Sequence, residues 1–182
     1  WTEKYSKIGK LIRYADDFVI MARYMGGRIT EWVEKIVEGE LGLSINREKS
    51  EKVKVNENGK SLDFLGFTMR YDKDLLGRNR KYLNIFPSKK AESAIRDKIR
   101  KITSSGYKVT TKEAIEKVNE TTRGWKNYFN IGYPRKSFRS LNYFTLCRFK
   151  SFVNHRSQRK CKPLKDGESV YAGIRRIGYT AL

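Results

Sequence analysis

The 182-residue chain has a single histidine and two cysteines. Cys147 and Cys161 cannot supply a disulfide framework, and with His155 as the sole imidazole they do not make a zinc site. A reduced intracellular compartment fits that composition. No run of about 18 apolar residues occurs, so nothing in the sequence reads as a membrane span. Acidic residues are scarce as well: 20 stand against 40 basic ones, a net charge of +20. Such an excess repels itself and attracts polyanions, with nucleic acid first and an anionic membrane surface second. The start at Trp1-Thr2-Glu3 has neither an initiator methionine nor a signal-peptide pattern, and reads as a cut through a longer chain.

What is present is unevenly placed. Residues 1–86 carry 17 basic and 13 acidic side chains, a net of +4; residues 87–182 carry 23 and 7, a net of +16. Two modules with different work are expected, and the second is the stronger candidate for gripping a phosphate backbone. Aromatic residues make up 13% of the chain, and mixed with lysine and arginine they suit base stacking as well as core packing.

The stretch from Leu11 to Met21 sets two adjacent carboxylates, Asp16 and Asp17, between apolar β-prone runs. Arms over residues 8–14 and 17–23 read as a β-hairpin, with the arms expected to be buried and the acids at the tip. An Asp-Asp turn alone is compatible with solvated punctuation. Carboxylates held close together favour a cation between them, and hard Mg²⁺ takes oxygen ligands. Gly26-Gly27 ends the hairpin, and Ile29, Trp32, Val33, Ile36, Val37 and Leu41 then recur at helical spacing. A polar loop over residues 46–50, a strand over 51–55, a turn at Asn58-Gly59 and a strand over 62–70, with Gly66 marking a bend or the close approach of another backbone, follow. Residues 82–86 form a last strand, and the module boundary is placed after Phe86.

In the second module Ser88 reads as an N-cap, with Ala91, Ile95, Ile99 and Ile102 on one helical face. Thr110-Thr111-Lys112-Glu113 is a capping-box pattern opening a second helix through Ile115, Val118, Thr122, Trp125 and Phe129. Gly124 inside it suggests a break or close packing. A third helix over residues 136–157 completes a three-helix bundle. A basic tail follows with Arg156, Arg159, Lys160, Lys162 and Lys165, then a short helix near residues 169–179.

Tyr14-Ala15-Asp16-Asp17 followed by Phe18-Val19-Ile20 resembles the catalytic hairpin of reverse transcriptases. The order of hairpin, helix, Leu43-Ser44-Ile45-Asn46 with Lys49-Ser50, and Phe64-Leu65-Gly66-Phe67 resembles the end of the reverse-transcriptase palm. Thr122-Arg123-Gly124-Trp125-Lys126-Asn127-Tyr128-Phe129 resembles the signature of the maturase domain, the thumb of group II intron-encoded reverse transcriptases. The resemblance implies an α+β chain: a partial palm over residues 1–86, with an antiparallel sheet and a covering helix, then a helical thumb/maturase bundle over 87–182.

It implies an RNA-directed DNA polymerase with maturase function. Asp16 and Asp17 would be catalytic metal ligands for two Mg²⁺ ions in the full-length enzyme, and Lys49 would lie near the nucleotide phosphates. Phe64, Leu65 and Gly66 would form the primer grip, while Arg123, Lys126, Arg156, Arg159 and Lys160 would contact nucleic acid. Lys49 reads equally as a surface lysine; Phe64 and Phe67 read as core rather than base platforms, and Trp125 and Phe129 as core packing. The implied partners are intron RNA, RNA template with DNA primer, and deoxynucleotide, in a bacterial cytoplasm. The family's third aspartate and its fingers have no counterpart in these residues, so the chain alone is expected to be inactive, and its exposed palm edge to self-associate. No His/Cys-rich nuclease cluster follows the helices. The alternatives are an RNA-binding splicing module without polymerase activity, and a retron or CRISPR-associated enzyme.

Overall fold

The computed structural model describes residues 7–74, 78, 80–104, 109–155, 164, 165 and 167–182. It divides into two compact units, Trp1–Lys54 and Val55–Leu182.

In the first unit, β1 (Gly9–Tyr14) and β2 (Asp17–Ala22) pair antiparallel from Gly9↔Ala22 to Tyr14↔Asp17. The register leaves a two-residue loop, Ala15-Asp16, as the β-prone runs on either side anticipate. The arms are not buried, however. Leu11, Ile12, Phe18 and Met21 are all exposed, and they occupy both faces of the ribbon. Two strands alone have no layer to bury them, so the expectation of buried arms is overturned for the described residues.

Helix α1 (Gly27–Glu34) buries Ile29 and then widens into a π-helical segment, Lys35–Glu40. The single α-helix expected from the apolar period therefore changes pitch midway. Leu41 N–H reaches Ile36 O at 2.9 Å, and Leu43 N–H reaches Val37 O at 2.9 Å past Gly42. The strand expected over residues 51–55 forms no ladder, because no strand among the described residues runs beside it.

In the second unit, β3 (Leu62–Phe64), β4 (Phe67–Lys73) and β5 (Lys81–Pro87) form an antiparallel sheet in that order. Residues 62–70 are thus a hairpin, not one bent strand. Leu65 and Gly66 both have positive φ, at 50° and 79°, the backbone demanded by a tight type I′ loop. Alternation places Leu62, Phe64, Phe67, Met69 and Ile85 on one face; Asp63, Thr68, Arg70, Asp72 and Asn84 are on the other.

Helices α2 (Lys89–Ile102), α3 (Thr111–Phe129), α4 (Arg135–His155) and α5 (Val170–Ile177) follow. The expected caps are present: Ser88 Oγ accepts from Ala91 N–H at 3.2 Å, and Thr110 with Glu113 forms a reciprocal capping box. Ile95, Ile99, Ile115, Val118, Leu141, Phe149, Val153 and Ile174 make one core. The short terminal helix docks on the three-helix bundle through Ile174.

The compact division does not fall after Phe86. Sheet and helices of the second unit interlock: Ser88 N–H donates to Gly66 O at 2.8 Å, and Tyr133 N–H donates to Ile85 O at 2.8 Å. A Cβ on Gly132, whose φ is 72°, would overlap the Ile85 carbonyl. Among the described residues no helix is long and apolar enough to cross a membrane.

Candidate nucleic-acid interface

The Leu65-Gly66 loop is gripped by the end of α3. Tyr128 Oη donates to Leu65 O at 3.0 Å. Phe67 stacks on Tyr128 with centroids 5.5 Å apart and tilts against Phe129 at 4.9 Å. Trp125 extends the cluster to Phe129 at 4.9 Å and Phe138 at 5.7 Å. A Cβ at Gly66 would sit 3.3 Å from the Phe129 ring, tighter than ordinary contact, and the φ of 79° favours glycine as well. The two stretches singled out separately in the sequence, Phe64-Leu65-Gly66-Phe67 and Trp125 to Phe129, are therefore one packed assembly. Phe67, Trp125 and Phe129 are packing rings here. Tyr128 and Ser88, which fasten the loop, were not among the sequence candidates; the helical step from Trp125 to Phe129 was the available signal.

Around this assembly the acids have structural partners. Asp63 accepts from Thr68 Oγ1 at 2.6 Å, and Asp72 binds Arg70 at 2.8 Å and Asn84 at 2.6 Å. Both carboxylates are held by partners within the sheet.

Of the cations, Arg123 is exposed and Lys126 half-buried on the last turns of α3. Gly124 lies between them in an unbroken helix, and a Cβ there would meet nothing within 4 Å. It marks neither a break nor close packing, which corrects both expectations. Arg156, Arg159 and Lys160 lie outside the described residues.

In the first unit Asp16 occupies the loop and Asp17 opens β2, both exposed. Ala15 holds φ at 50°, where L residues other than Asn and Asp rarely sit. Arg13 Nε donates to Ala15 O at 2.9 Å and braces the loop. Among the described residues no group of three or more His, Cys, Asp or Glu could hold a metal. Two carboxylates alone leave most of an Mg²⁺ coordination shell unfilled.

Lys49 is exposed on a turn organised by Asn46. Asn46 Oδ1 accepts from Lys49 N–H at 3.2 Å, and Asn46 O accepts from Ser50 N–H at 3.0 Å. Arg47 straps this turn to the preceding helix through a two-pronged contact with Glu38, at 2.9 and 3.0 Å. Those bonds, with Ile45 N–H, hold the Glu38 carboxyl below its ordinary pKa. The spacing from Leu43 to Ser50 thus has a mechanical reason: Asn46 sets the turn, Arg47 anchors it, and Lys49 is presented.

No curated protein matches the chain. Residues 93–165, which cover most of α2, all of α3 and α4 and the stretch after them, match the family model of the group II intron maturase-specific domain. The match contains the α3 signature and most of the helical core, so this region is similar to the group II intron maturase-specific domain.

Proposed function

We propose that the chain is the palm end and thumb of a group II intron-encoded reverse transcriptase and maturase, acting in the cytoplasm on intron RNA. The observation that carries this reading is the seating of the Leu65-Gly66 loop on Tyr128 and Phe129. It joins the primer-grip-like turn to the maturase-family helix in one compact unit. The strong positive charge supports the RNA-binding half of the reading.

In the full-length enzyme Asp16 and Asp17 contribute ligands to the Mg²⁺ pair, and the exposed two-residue loop suits that task. Mg²⁺ held there would supply charge neutralisation for attack of a primer 3′-hydroxyl on a deoxynucleotide. Lys49 is offered to the nucleotide phosphates on its Asn46-centred turn. The Leu65-Gly66 loop positions the primer end, and Arg123, Lys126 and the basic residues Arg156, Arg159 and Lys160 bind template–primer duplex or intron RNA. The described residues alone do not complete a metal site. That favours a second reading for the isolated chain, an RNA-binding splicing module without polymerase activity.

The test is paired. RNA binding of the 182-residue chain is titrated from ~50 to ~200 mM salt, where about 6–10 phosphate contacts would weaken affinity by orders of magnitude. Primer extension is measured in the full-length parent with Asp16→Asn and Asp17→Asn. Loss of extension with RNA affinity intact supports the reading; undiminished extension, or salt-insensitive binding, defeats it.

A further inference from the structure

Helix α4 contains Arg135, Lys136, Arg139, Arg148 and Lys150, and no acidic residue. Its inner face is core: Leu141, Thr145, Phe149, Phe152 and Val153 are buried. On the outer face Lys136, Arg139, Tyr143, Cys147 and Lys150 recur at steps of three and four, and all five are exposed. From Lys136 to Lys150 this stripe runs about 21 Å at roughly 1.5 Å per residue.

The other aromatic rings of α4 have work within the fold. Phe138 meets Trp125, and Phe149 and Phe152 are in the core. Phe144 is covered by the guanidinium groups of Arg96 and Arg100, at 5.8 and 5.1 Å from its centroid. Tyr143, one residue earlier, is 71% exposed and makes no ring contact among the described residues. The acids of α2 do not neutralise the stripe, because Glu92 is taken by Arg96 at 3.3 Å and Asp97 by Arg100. Arg148 is likewise engaged, binding Thr103 Oγ1 and O at 3.1 and 3.0 Å.

A bare ring flanked along one helix face by unneutralised cations is suited to a base bracketed by phosphates. Bases inside an RNA duplex have their faces closed by neighbours, so the base must be unpaired, as at a bulge or loop. We propose that the outer face of α4 is a stacking site for an unpaired RNA base, with Tyr143 as the platform and Lys136, Arg139 and Lys150 as phosphate contacts. This rests on the RNA-binding reading above and narrows it to one helix face and one structural class of RNA.

Two RNA hairpins test it, one fully paired and one identical except for a single bulged 2-aminopurine. They are titrated against the 182-residue chain, Tyr143→Ala, Tyr143→Phe and the Lys136→Ala/Arg139→Ala/Lys150→Ala triple variant. The chain should prefer the bulged RNA and quench its fluorescence. Tyr143→Ala should lose roughly 5- to 100-fold on the bulged RNA alone, with the quench abolished. Tyr143→Phe should restore both. The triple variant should bind both RNAs more weakly, with the salt slope reduced by about 2. Position 143 is exposed, and an unchanged melting temperature separates the effect from misfolding. Equal loss on both RNAs, no loss, or persistent quenching in Tyr143→Ala overturns the stacking site while leaving RNA binding intact. Failure of the unaltered chain to bind either RNA overturns the RNA-binding reading as well.

Discussion

The Tyr128 hydroxyl donates across 3.0 Å to the carbonyl of Leu65, 63 residues earlier in the chain. The bond closes a loop whose two residues both hold positive φ, and it does so from the helix that carries the maturase signature. A local turn preference and a distant helix terminus therefore specify the same geometry. Tyr128→Phe keeps the ring stack and removes the bond, so unfolding by urea should show a loss of about 0.5–1.5 kcal/mol, toward the lower figure because the side chain is half exposed.

Gly66 has a φ of 79° and the Phe129 ring beside it. Gly66→Ala should destabilise the second unit by at least about 1–2 kcal/mol, the cost of a left-handed L residue, with crowding against Phe129 added. Denaturant midpoints compared with Gly59→Ala would resolve the two terms. Gly59 has a similar φ of 80° but open space around it.

Gly124 gives the opposite sign. It is exposed within α3 and a methyl group there meets nothing. Gly124→Ala should stabilise the chain by about 1 kcal/mol, read as a rise in melting temperature. If RNA approaches α3 between Arg123 and Lys126, the same substitution should weaken RNA binding.

Glu168 ties the approach to α5 onto the helix itself. Arg176 grips its carboxylate at 3.1 and 3.0 Å, and Lys165 N–H adds a third bond at 3.0 Å. The Arg176 bonds, then the Lys165 N–H, lower its pKa from 4.5 to about 2. A carboxyl whose folded pKa lies below its unfolded one stabilises the fold above the unfolded value. That contribution is lost as pH falls from 4.5 through about 2. Acid titration followed by circular dichroism should show Glu168→Gln less stable than the parent at neutral pH, with the difference vanishing toward pH 2.

Asn119 fastens the segment after α5: its amide donates to Gly178 O at 2.7 Å and accepts from Thr180 N–H at 3.0 Å. Asn119→Ala removes both bonds, so it should release the clasp. Hydrogen exchange at Thr180 should accelerate while the α2 and α4 core amides stay protected.

Much of this architecture was legible because the relevant signals are local. The arms flanking Asp16 and Asp17 are β-prone apolar runs, Ser88 and Thr110 are capping residues, and Ile95 and Ile99 recur at helical spacing. The failures are equally physical. Leu65-Gly66 looked like a bend inside a strand because alternation alone cannot reveal that both residues lie in the left-handed region. Residues 51–55 alternate as a strand does, but a ladder needs a neighbour that sequence does not disclose. Gly124 resembled a breaker because its penalty is small enough for the surrounding helix to absorb. Among candidate site residues, the motif Phe64-Leu65-Gly66 and the α3 signature were each visible; their contact was not, because it joins positions far apart in the chain.

The interlocking of β5 with the turn between α3 and α4 has a consequence for anyone dividing the molecule. A cut after Phe86 would strip Tyr133 of the Ile85 carbonyl, and Ser88 of the Gly66 carbonyl. The helices would then present a raw aromatic wound where the strand pair had lain. Excised at residue 55 instead, sheet and bundle should travel as a single rigid cargo.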